Sequence, residues 1–191
     1  MMKNHFGYDK IVISCRMKIV LAPLGDIDGE IMDELRNRVE GVFYCPMEIG
    51  VSLSNLAQAY NQQREQYLAP ELLAFINGRK KEDHERTVGI VDVDLYAPGL
   101  NFIFGEADVL SGTAIISLSR LRQEYYGLSP DRDLFLTRAT KEIVHELGHT
   151  FGLIHCPDSK CVMHFSNSLA DTDWKEVNFC PKCCPRMEFL M

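Results

Sequence analysis

Apolar and polar positions follow one another along this chain with changing period, and each change of period predicts an element. The run "MKIVLAPLG" stays apolar until Pro23 and Gly25 close it, which predicts a strand. In "DIDGEIMDELRNRVEGVF", Ile31, Leu35, Val39 and Val42 fall near helical spacing and predict an amphipathic helix. "MEIGVSLS" reads as a second strand, and "LAQAYNQQREQYLAPELLAFI" has helical composition broken at Pro70. "RTVGIVDVDLYAPG", rich in Val and Ile, predicts a third strand ending at Pro98 and Gly99. Two further β-rich runs, "LNFIFGEADVL" and "GTAIISLSRL", meet at Ser111 and Gly112. Too few residues separate them for a crossover helix, so they are expected to be antiparallel neighbours.

Ser129 and Pro130 then look like an N-cap and first helical position for a helix through "DRDLFLTRATKEIVHELGHTFG". Its Leu136, Ile143, Leu147 and Thr150 can form one inward stripe, with Gly152 as the terminator. Beyond Gly152 the periodicity stops: Pro157, Pro181, Pro185 and five of the seven cysteines fill a short irregular tail with little core of its own. The pattern as a whole predicts an α/β (α+β) fold with a small C-terminal subdomain.

With 191 residues and 46% apolar composition, one hydrophobic core is expected. Met17 reads like a chain start, so residues 1–16 are expected to be an extension. The single domain then spans 17–191, with an upper part at 17–152 and a lower part at 153–191. Apolar runs are too short to span a membrane, and Arg16 and Lys18 interrupt any signal-peptide core. The formal charge of −7 argues against binding nucleic acid or an anionic membrane. The basic residues of "GRKKEDHER" alternate with acidic ones, as in a solvated loop. The expected compartment is the reducing cytoplasm, where closely spaced cysteines bind zinc more often than they pair.

The chemistry concentrates in "HELGHTFGLIHCPDSKCVMHF". His145 and His149, one turn apart on a helix, present their imidazoles on one face and can share an ion. Gly152 permits a left-handed reversal after which His155 can return as a third ligand. Three histidines leave an open position, the mark of a catalytic rather than a structural zinc. Glu146, displaced around the helix from the histidine pair, is placed to take a proton from attacking water and pass it to a leaving amine. Amide hydrolysis suits these parts best. The competing reading, histidines merely satisfied on a helix surface, does not account for the spacing of all three.

Cys156 and Cys161, then Cys180 and Cys183, form two close pairs across a short loop, matching a closed Cys₄ zinc site that would staple the tail and help hold His155. Two local disulfides are the rival reading, and Cys184 could substitute for Cys183. Cys15 and Cys45 read as small buried hydrophobes.

The motif HExxHxxGxxH is the metzincin signature, and its continuation through Cys156, Cys161, Met163, Cys180 and Cys183 resembles the archaemetzincins closely. "CVMHFSNSL", "DTDWK", "FCPKC" and "FGEADVLSGTAIISLSRL" are similar to that family as well. The resemblance implies a metzincin-like twisted mixed sheet with backing helices, an active-site helix along the cleft floor, and a zinc-stapled lower subdomain. It implies two zinc ions per chain, Met163 as the Met-turn residue, a strand near "NFIFG" that pairs with substrate, and a zinc metallopeptidase acting on a peptide or protein. Two departures stand out: no tyrosine follows Tyr126, and His164 has no assigned role and reads as a surface residue. The alternative function is a zinc-stabilised peptide-binding module with little turnover, against which Glu146 argues.

Overall fold

In a computed structural model, residues 18–185 are described, apart from 55 and 83–84; the expected extension at 1–16 lies outside the described residues. Strand β1 (Ile19–Leu24) leads into helix α1 (Gly29–Phe43), then β2 (Met47–Ile49). Asp28 caps α1 by accepting from the Glu30 amide at 2.8 Å. A 3₁₀ turn at Ala57–Ala59 precedes β3 (Tyr60–Asn61), β4 (Gln66–Leu68) and α2 (Ala69–Asn77). Next come β5 (Arg86–Val91), β6 (Leu95–Tyr96), β7 (Gly105–Asp108) and β8 (Thr113–Ser117). Helix α3 (Arg132–Thr150) and the short α4 (Leu169–Trp174) complete the set.

The main sheet has the order β2-β1-β5-β8-β7. Its first four strands are parallel, and β7 alone runs antiparallel, pairing Glu106 with Ile115 at the open edge. Strands β3, β4 and β6 form a small separate sheet.

Period two divides each central strand between two cores. Ile19, Leu21, Val88, Ile90, Ala114 and Ile116 face α1 and α3. Ala22, Leu24, Val91 and Ile115 face α2 through Leu72, Leu73 and Ile76. Burial on both faces explains why "MKIVLAPLG" is an unbroken apolar run rather than an alternating one. Fully burying each Leu, Ile or Val contributes about 1.5–3 kcal/mol, so the covered sheet is the rigid base on which the edge strand and α3 are held.

Several expectations change. Pro70 opens α2 in its first turn instead of breaking a helix, because its missing amide has no partner to lose there. Helix α3 is capped by Asp131, which accepts from the Leu134 amide at 3.0 Å, and not by Ser129. The edge strand starts at Gly105, later than "NFIFG" suggests. Cys45 is buried as expected but is not a lone thiol, since it takes part in a disulfide.

Candidate active site

Helix α3 carries a polar stripe, Arg138, Lys141, Glu142 and His145, that is buried rather than solvated. The segment around α4 covers it. Asp173 grips Arg138 with two bonds of 2.6 Å, and Lys141 donates to the carbonyls of Thr172 and Asp173 at 2.9 and 3.2 Å. Lys175, fully buried, lies 3.0 Å from Glu142 Oε1, which also accepts from Thr172 at 3.1 Å. The Lys175–Glu142 contact is close enough for an ion pair but lacks hydrogen-bond alignment.

The helix ends in a Schellman turn. The Gly152 amide reaches the His149 carbonyl at 2.8 Å and the Leu153 amide reaches Gly148 at 3.0 Å, with Gly152 at φ +83°. This reversal brings the Leu153 carbonyl to 2.7 Å from His149 Nδ1 and returns His155 to the other two rings. Ring centroids of His145, His149 and His155 lie 4.6, 5.3 and 4.8 Å apart. His145 Nδ1 is 2.8 Å from the Val162 carbonyl.

These two carbonyls set the tautomer: each Nδ1–H donates, and each Nε2 keeps its lone pair. The Nε2 atoms of His145 and His149 are 3.1 Å apart, so two acceptors face one another. A tetrahedral zinc with bonds of about 2.0–2.1 Å would hold two nitrogens about 3.3 Å apart, and the donor set fits. Burial pushes the His145 pKa well below its ordinary value and lowers those of His149 and His155, which keeps the rings neutral for a cation.

Glu146 stands in the same cleft, of about 520 Å³, with Glu142, the three histidines and the segment 102–107. Burial, reinforced by the Glu142 carboxylate, holds its carboxyl well above the usual range, a property of groups that carry protons. Its place depends on Gly105, where a Cβ would fall 2.7 Å from Glu146 Cγ and 2.9 Å from the Ile115 carbonyl. Gly148 has a matching role below: a Cβ there would collide with Met163 Sδ. Met163 is fully buried, and its carbonyl accepts from the Cys156 amide at 2.9 Å.

Cys156, Cys161, Cys180 and Cys183 are buried free thiols whose sulfurs lie within 4.8 Å of one another. Cys156 and Cys180 sulfurs are 3.7 Å apart, far beyond a disulfide and near the about 3.8 Å that a tetrahedral zinc–thiolate site requires. Cys184 is exposed, outside this group. Burial pushes Cys161 up to about 11. Burial acts on Cys180 too, yet backbone amides of Lys182 and Cys183 bring it down to about 7. His164 is half-buried, its Nδ1 3.0 Å from the Cys156 carbonyl.

The structure thus brings the three histidines and Glu146 to one cleft, buries Met163 against Gly148 beneath it, and gathers the four cysteines in a second cluster. Sequence reasoning missed Gly105, Gly148, Glu142 and Lys175. A glycine inside a strand was the one available signal for Gly105. The acidic and basic pair had none, since both read as surface charge.

The model of peptidase family M54 matches residues 29–188. The archaemetzincin of Pyrococcus abyssi is 45% identical over 177 residues, covering 89% of this chain and 94% of that one. The archaemetzincin of Methanocaldococcus jannaschii is 40% identical over 173 residues, covering 90% and 93%. The crystal structure of archaemetzincin from Methanopyrus kandleri superimposes with a TM-score of 0.79 at 39% identity, over 91% of this chain and 94% of that one. A zinc-dependent peptidase from Methanocorpusculum labreanum gives 0.82 at 26% identity, over 88% and 99%. With the site and the relatives agreeing, this chain belongs to peptidase family M54, the archaemetzincins, and is a zinc metallopeptidase.

Proposed function

We propose that His145, His149 and His155 hold the catalytic zinc, that Glu146 moves the protons of peptide-bond hydrolysis, and that Cys156, Cys161, Cys180 and Cys183 hold a second, structural zinc. The observation that carries this reading is the 3.1 Å approach of two Nε2 lone pairs beside a buried carboxylate in an open cleft. Zinc, when bound, supplies Lewis acidity toward the scissile carbonyl and toward attacking water.

The chain's own residues do the rest. The carbonyls of Val162 and Leu153 fix the ring orientations before any ion arrives. An extended peptide adds to the open edge of β7, which aligns its backbone along the cleft. Glu146 accepts the proton of the attacking water and delivers it to the departing amine nitrogen. Met163 supports α3 from below at Gly148. The domain works as one unit over 17–191, its substrate is a peptide or protein, and nucleic acid has no part. The cytoplasm is the working compartment of this reading, because four thiols must stay reduced to bind metal, and the Cys45 disulfide is the feature that counts against it.

The test is hydrolysis of a mixed peptide pool by the wild type and Glu146→Gln, with zinc measured in both. The substitution is expected to lower hydrolysis by about 10²–10⁴-fold at unchanged zinc content. Undiminished hydrolysis would remove Glu146 from the mechanism.

A further inference from the structure

Three carboxylates line the cleft, and two have work or a partner. Glu146 serves the reaction, and Glu142 is matched by Lys175. Glu106 is the third. Among the described residues it makes no ion pair, and its Oε2 is sealed from solvent without a hydrogen bond. Buried polar atoms seldom lack partners, and because Glu106 as a whole is only half-buried at the cleft wall, a ligand's donor can meet this unpaired carboxylate from the cleft side. Burial holds the Glu106 carboxyl above its ordinary pKa, and an arriving cation would relieve that cost.

The pleat says which part of a substrate meets it. Gly105 pairs with Ile116, and its missing Cβ points at Glu146 on the α3 side. Glu106 pairs with Ile115, which packs toward α2, so its side chain leaves the strand on the opposite face. Ala97, Leu100 and Ile103 line the cleft with it and provide apolar surface for a methylene stem. A peptide added to β7 alternates in step with the strand, sending every second side chain to this roof side.

We propose that Glu106 heads a roof-side specificity subsite that takes the lysine or arginine side chain of a substrate residue close to the scissile bond. The inference rests on the three-histidine and Glu146 reading of the cleft. Glu106 is a specificity residue and takes no part in bond breaking.

The experiment uses N-acetylated, C-amidated peptides identical except for Lys, norleucine or Glu at single positions around the cleavage point, which mass spectrometry locates. The zinc-loaded wild type should favour Lys over norleucine at one position by about ten- to a hundredfold in kcat/KM. Glu106→Gln, close to isosteric, should erase that preference while its melting temperature stays near wild type, and Glu106→Lys should favour Glu there. A Lys preference unchanged in Glu106→Gln, or none in the wild type, overturns the subsite. So does a preference for basic peptides that appears only when the amino terminus is free, because the carboxylate would then hold the terminal amine. Binding of the same peptides to zinc-loaded Glu146→Gln reads selection without turnover. Cleavage without discrimination sinks this inference alone, whereas discrimination in binding with no cleavage by the wild type faults the hydrolytic reading and leaves Glu106 in place.

Discussion

A single missing methyl group decides where Glu146 sits. At Gly105 the space a Cβ would need is taken by Glu146 and by the Ile115 carbonyl, and the latter belongs to the sheet and cannot step aside. Gly105→Ala is therefore expected to cost about 1–3 kcal/mol in overpacking and to displace Glu146, lowering peptide hydrolysis by about tenfold or more at unchanged zinc content. Denaturant unfolding, a peptide assay and metal analysis together check it. At this scale the convergence of His145, His149 and His155 was legible in the sequence, because HExxHxxGxxH is a spacing rule for one helix and one turn. Gly105 and Glu142 were not, because their importance comes from neighbours far away in the chain.

Elements were legible where a period persists. Helix α1 and the hairpin of β7 and β8 appear where alternation or helical spacing predicted them, while the stretch before α2 folds as a 3₁₀ turn and two short strands. Helix α3 misleads in another way: its polar face looks solvated in sequence, yet the α4 segment buries it through Arg138, Lys141 and Glu142. That docking makes Lys175 a test of the seam. Lys175→Met leaves the Glu142 carboxylate buried without its cation and is expected to destabilise the protein by about 3–5 kcal/mol. Adding Glu142→Leu should recover most of the loss, since the remaining charge disappears with it. Urea unfolding of both variants measures this, and a double variant as unstable as the single one would mean the seam depends on packing alone.

At the scale of the molecule, the C-terminal part has α4 and few other regular elements, so its order depends on what crosses to α3 and on the cysteine cluster. Cys180→Ser with Cys183→Ser is expected to lower zinc by about one ion per chain, to lower the melting temperature, and to reduce hydrolysis because His155 adjoins Cys156. Unchanged zinc content would show that the thiols do not ligate. The length of β7 carries a different consequence. A bare strand margin invites copies of the same protein to zip together, and longer, flatter margins are the ones that seed aggregates. Here the margin offers four residues, two of them acidic, and both its shortness and its charge count against that kind of zipping.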